Sequence, residues 1–319
     1  MPRESALTVS QTPPARFRPS AGALAVIGVT ICAAIWGTTW FAITFQLGSV
    51  DPTASIVWRF GLAAIILFVI CAVTRRPVRL SRLQHLAAAG QGMFAFALSY
   101  TFVYHAEGLI TSGVVAVAFA SMAFLNLILF RILEKQTAAP AVWTGAALGA
   151  LGVAVLSGGE LLGARLGPDA GLGVALAFGG ACASTIANYF AWRGQKAGSE
   201  VLPATAWAMA YGAGLVVLYG LATGVNWSVE VTPGYIGSLL YLSVFGSVIA
   251  FLIYFTVARS RGYTLASYIG ALTPPIALMI STLFEGARFG LTAWLGVALV
   301  IGGQVLIARA PKPPVEIEA

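Results

Sequence analysis

Three features of the sequence predict an all-α integral membrane protein with ten transmembrane helices arranged as two inverted five-helix repeats. Of 319 residues, 59% are hydrophobic and 9% charged, with a mean hydropathy of +0.88; a soluble domain carries about 25% charged residues. The apolar stretches are continuous rather than alternating and recur at lengths of about 18 residues or more, which suits membrane-crossing helices and excludes a β-barrel. The second half also repeats the first. A constant offset of 151 residues relates Glu134 to Glu285, Trp143 to Trp294, Gly145 to Gly296, Gly152 to Gly303, Pro52 to Pro203 and Gly61 to Gly212.

Residues 1–20 are rich in Pro, Ser and Arg and cannot bury apolar surface, so they are expected to form a disordered cytoplasmic tail without a cleavable signal. The apolar pattern then places spans at 23–45, 53–73, 85–104, 109–132, 139–156, 171–192, 202–223, 233–257, 263–284 and 289–308. Five fall in a first repeat, 21–157, and five in a second, 171–309; 158–170 is expected to be an external linker and 310–319 a second cytoplasmic tail. An odd number of spans per repeat makes the second half enter the membrane from the opposite side. The basic residues orient the whole. With both termini cytoplasmic, fifteen Lys and Arg residues lie inside and only Arg165 and Arg288 outside.

The net charge of +7 resides in these short inter-span clusters, with no basic stripe interleaved with aromatics, so nucleic acid is not an expected partner. Cys32, Cys71 and Cys182 all lie inside apolar runs and read as small buried hydrophobes. There is no HExxH, CxxC, GxSxG or Walker A sequence, and His85 and His105 stand about 30 Å apart along one span. No enzyme, cofactor or metal is expected. The implied partners are a small-molecule substrate and the lipid bilayer, with the chain a monomer or weak homodimer.

The ten spans, the five-plus-five repeat, Trp36-Gly37 in the first span, Arg59 in the second, and Pro274 eleven residues before Glu285 resemble the drug/metabolite transporter superfamily, EamA type. The resemblance covers nearly the whole chain. It implies alternating-access transport of a small metabolite, usually export, in the bacterial inner membrane; the bacterial members it is similar to handle amino acids, aromatic ones among them. The family often carries Pro in both the fourth and ninth spans, whereas here Ala123 occupies the position matching Pro274. A membrane-embedded enzyme or channel on the same scaffold is the alternative.

Candidate site residues follow from helical stripes. In the fourth span Ser112, Ala116, Phe119, Ala123, Asn126 and Phe130 share a face, and the offset maps them onto Tyr263, Ser267, Gly270, Pro274, Ala277 and Ser281. Their mixture of small, polar and aromatic side chains suits either close helix packing or a water-lined cavity. Trp40 borders a first-span face of Thr30, Ala34, Gly37 and Phe41, which the offset carries onto Ala181, Thr185, Asn188 and Trp192 in the sixth, and Asn188 is an amide at mid-membrane depth that requires a partner. Phe96, Tyr100 and Tyr104 form an aromatic stripe on which a substrate could stack. The expected substrate-binding set is therefore Trp40, Tyr100, Phe119, Asn126, Asn188, Trp192, Ser267 and Pro274, with Pro274 letting the ninth span bend.

Arg59 is a charge inside a span that could snorkel outward, hold a substrate carboxylate or pair with Glu107. The repeat symmetry of Glu134 and Glu285 favours a structural role at the span ends. All acids fall at span ends, in loops or in the tails, which predicts a facilitator or exchanger rather than a proton-coupled carrier.

Overall fold

The computed structural model describes residues 21–162, 169–261 and 263–309. Both expected tails and residues 163–168 of the expected linker lie outside the described residues. Among them there is no β-strand, and the helices group into ten stretches: α1 (Ala21–Thr44), α2 (Pro52–Val73), α3 (Arg82–Glu107), α4 (Ser112–Glu134), α5 (Pro140–Leu162), α6 (Ala170–Lys196), α7 (Val201–Thr223), α8 (Pro233–Ser260), α9 (Tyr263–Phe284) and α10 (Leu291–Arg309). Seven of them, α1–α4 and α6–α8, are long and apolar enough to cross a membrane; α5, α9 and α10 carry shorter apolar segments. Ile65, Val69, Leu218 and Leu221 stand exposed on the perimeter, as a lipid-facing surface requires. This is an all-α membrane protein.

Local chemistry sets the helix ends. Asp51 accepts a 2.7 Å bond from the Thr53 N–H ahead of α2, and Pro52 takes the first helical position, where a missing N–H costs nothing. Ser81 and Gln84 form a reciprocal capping box at α3. Thr232 caps α8 in front of Pro233. Lys135 and Gly224 close α4 and α7 in the left-handed conformation.

The halves interlock. The first helix of each packs on the third and fourth of the other: α1 lies against α8 and α9, and α6 against α3 and α4. The closest approach is between α5 and α10. A Cβ on Gly145 would stand 2.4 Å from the Gly303 carbonyl oxygen, and one on Gly152 2.5 Å from that of Gly296. Gly145 corresponds to Gly296 and Gly152 to Gly303, so the contacts are crossed, as a two-fold relation between the halves produces.

Hydrogen bonds define two ends. Arg76 pairs with Glu200 at 2.7 Å, the Gln84 amide donates to Ala197, the Trp207 indole to Val78 and Arg259 to Ser199, all among the Lys/Arg clusters; this is the basic end. At the opposite end the Gln46 amide donates to the Tyr235 carbonyl and the Trp58 indole to that of Ser228.

The structure corrects three expectations. Helix α5 runs on to Leu162, into the region expected to be linker. Helix α3 extends three residues past the expected end and takes in Glu107. The interrupted helix is α4 rather than α9. Across Pro274-Pro275, α9 continues to Phe284, whereas α4 is broken at Ala120-Ser121. There Ala120 and Ser121 donate to carbonyls three residues back, and the Ser121 hydroxyl donates to Ala118 at 2.6 Å. The interruption therefore occurs without a proline, at a turn where the Ser121 hydroxyl bonds back to its own helix.

Candidate functional site

Between the two ends lies a cavity of about 110 Å³ lined from α1, α2, α3, α4, α6, α8, α9 and α10. Two π-helical segments frame it: Gly92–Ser99 in α3 leads directly into Tyr100, and Leu242–Ile249 in α8 leads into Phe251. Such wide turns occur mostly at functional sites because they re-aim the side chains that follow.

The shell is aromatic and repeats across the halves. Trp36 and Ala187, Tyr100 and Phe251, Val103 and Tyr254, Phe119 and Gly270, and Met122 and Thr273 all line it, each pair 151 residues apart. Trp40 meets Phe119 with ring centroids 4.9 Å apart, and Trp36 contacts Phe251 and Tyr254 at 5.1 and 5.3 Å.

The polar groups, by contrast, sit where the halves differ. Arg59, Asn126, Asn188 and Gln304 line the cavity, while the matching positions hold Ala210, Ala277, Gly37 and Val153. The Asn188 amide donates to the Asn126 Oδ1 at 3.4 Å, joining α6 to α4, and lies within hydrogen-bonding reach of Tyr254.

Arg59 is completely buried. Its Nε donates to Ser247 at 3.1 Å, and its guanidinium lies over the Tyr100 and Phe60 rings at 4.6 and 5.0 Å. These cation–π contacts hold a desolvated charge without neutralising it. The Arg59 Nη1 and the Trp40 Nε1 are buried donors with no hydrogen-bond partner, and the Gln304 Oε1 is a buried acceptor without one. Unsatisfied polar atoms facing an aromatic cavity are where a ligand's own polar groups bind.

Of the residues expected at a binding site, Trp40, Tyr100, Phe119, Asn126 and Asn188 line the cavity. Trp192 does not. It stacks on Tyr189, contacts Phe130 at 5.5 Å and lines a separate groove of about 560 Å³ at the basic end, one helical turn beyond Asn188 on the same face of α6. Pro274 is buried beside the lining residue Thr273 but is not itself in the wall. The Ser267 side chain lies outside the described residues. Snorkelling of Arg59 is ruled out by its burial. Phe251 and Phe255 were legible in the offset, which carries Tyr100 and Tyr104 onto them; Tyr254, the counterpart of Val103, was not. Gln304 was signalled only by being a lone amide inside the last apolar run.

The EamA-like transporter family model matches residues 23–158 and again 171–309. The chain belongs to this family. It is similar to Protein PecM of Dickeya dadantii, 28% identical over 86% of this chain and 88% of that one, and to the uncharacterized inner membrane transporter YedA of Escherichia coli K12, 28% identical over 86% and 87%. A solved crystal structure superposes with a TM-score of 0.65 at 18% identity, covering 89% of this chain and 96% of the other. The fold is therefore that of a multi-pass membrane transporter.

Proposed function

We propose that this chain carries amino acids, aromatic and hydrophobic ones among them, across the bacterial inner membrane by alternating access, as an exporter or facilitator. The observation that carries the reading is Arg59, a desolvated cation with an unpaired Nη1 in an aromatic-walled cavity. A carboxylate satisfies Arg59 and Trp40, the Gln304 oxygen accepts from an ammonium, and the rings cover the apolar body. Ten crossings, inverted halves and cytoplasmic termini complete the proposal. The crossed glycine contacts between α5 and α10 support the inversion, and the clustering of Lys and Arg at one end supports the orientation.

The test is counterflow in proteoliposomes with a panel of labelled amino acids. Phenylalanine and tryptophan should exchange saturably, phenylalaninamide should not, and Arg59→Gln should weaken phenylalanine binding about 10- to 100-fold, since a hydrogen bond to a charged group contributes about 1.5–3 kcal/mol. Equal exchange of the acid and its amide would sink the proposal.

A further inference from the structure

Glu107 is the group that the transport reading leaves unexplained. It ends α3, yet it is 8% exposed, and both carboxylate oxygens are sealed from solvent without a hydrogen-bond partner. An ionised carboxylate in that state is very costly unless a charge or a proton compensates it. Tyr100, Tyr104 and Glu107 follow at intervals of four and three residues on one face of α3, so Glu107 lies about 10 Å along the axis from the cavity wall at Tyr100. Arg59 from α2 packs over Tyr100 at one end of this row and interacts electrostatically with Tyr104 and Glu107. The Tyr104 side chain is completely buried, with its hydroxyl within hydrogen-bonding reach of Arg59.

The remaining surroundings of Glu107 are sparse in charge. From the end of α9 comes Glu285, half-buried and electrostatically coupled to it. His105 faces outward on α3 and bonds the Thr101 carbonyl. The segments of α4 and α6 packed beside this part of α3, 112–119 and 170–180, carry no ionisable side chain, and α1 brings only Cys32.

We propose that Glu107 is a proton-binding site linked through Arg59 to the cavity, so that neutralising Arg59 with a bound anion drives proton uptake at Glu107. With the cavity empty, Arg59 is a cation whose charge acts on this carboxylate. When an anion takes that charge, Glu107 keeps only the repulsion of Glu285, and its oxygen binds a proton from the aqueous phase at the non-basic end. Emptying the cavity returns the proton. No other group gains or loses charge, so binding of an anion in the cavity and binding of a proton at Glu107 are coupled. The positional expectation of a facilitator overlooked this because a residue at a helix end need not be near water. The link to a carboxylate cargo rests on the proposed function; the proton site does not.

Infrared difference spectroscopy of the whole protein in liposomes at neutral pH tests both. A carboxylic-acid C=O band should be present in the wild type, be lost in Glu107→Gln, and grow in Arg59→Gln. Adding phenylalanine to the wild type should make the same band grow. Absence of any band that Glu107→Gln removes, or a band unchanged by Arg59→Gln, would overturn the proposal. Growth in Arg59→Gln with none on adding phenylalanine upholds the proton site and counts against phenylalanine as the cargo.

Discussion

At each end of the central cavity the C-terminus of a helix from one half meets one from the other, and the offset of 151 makes the two meetings equivalent, but they are built from different chemistry. At the basic end α4 meets α6. Phe130 contacts Tyr189 and Trp192, Tyr189 donates to Glu134 at 2.8 Å, and Arg193 donates to Tyr189 at 3.2 Å. At the opposite end α9 meets α1 through Phe284 and Phe41, centroids 5.4 Å apart, and Ser281 stands where Phe130 stands in the other half. The Ser281 hydroxyl accepts from the Gly113 N–H at 2.9 Å, shares a 3.0 Å bond with Ser112 and contacts Glu285.

One ring-to-hydroxyl difference thus converts an aromatic contact into a polar latch that also recruits the start of α4. The burial pattern of α4 agrees. Its first helical segment, Ser112–Phe119, is buried in all but Phe119, whereas residues 122–129 are half-exposed. The start of α4 is its more tightly packed part in this conformation, and the difference teaches that equivalent helices need not make equally strong contacts.

The largest break in this comparison should come from Ser281→Ala. It strands the buried Gly113 N–H, a loss of about 1–3 kcal/mol that favours opening about 5- to 150-fold. In a background with Cys32, Cys71 and Cys182 replaced by Ala, an Ala116→Cys probe in the cavity wall should react correspondingly faster with an impermeant thiol reagent from the non-basic side. Unchanged reactivity would show that Ser281 is no latch. Tyr189→Phe should act at the other end and more weakly. It removes bonds reachable by water, worth about 0.5–1.5 kcal/mol, so labelling from the basic side should rise about 2- to 10-fold while substrate affinity holds. A fall in affinity would place Tyr189 at the binding site instead. The smallest effect belongs to Arg76→Gln. The Arg76–Glu200 pair is largely solvated at the basic end, so breaking it should change stability by less than about 1 kcal/mol and leave transport intact at any salt concentration. A large loss of transport would make this surface pair part of the gate.

The architecture was legible because apolar length and a constant repeat offset are one-dimensional properties. Depth along each span was also legible, and it brought Trp40, Tyr100, Phe119, Asn126 and Asn188 to the cavity. Rotation about the helix axis was harder to read. The π-helical segment Gly92–Ser99 breaks the 3.6-residue period between Phe96 and Tyr100, so Phe96 is fully buried while Tyr100 reaches the cavity; Tyr104, one turn farther along the face of Tyr100, is buried beyond it. Trp192 was misplaced by depth, since it shares the face of Asn188 but lies one turn farther toward the basic end, beyond the cavity. Arg59 and Glu107 look harmless in sequence because both are within reach of a span end; only tertiary packing removes them from water. The break in α4 was not legible because no proline marks it.

The crossed glycines between α5 and α10 impose a metric on the chain. Gly145 and Gly152 are seven residues apart, as are Gly296 and Gly303, and each meets the far member of the other pair. Two helical turns in one half are therefore gauged against two turns in the other, backbone to backbone, with no side chain to take up an error. A single residue inserted between either pair would rotate one glycine about 100° out of the seam and spoil both contacts together. The loops can drift in length; these two intervals are locked to each other like the teeth of matched gears.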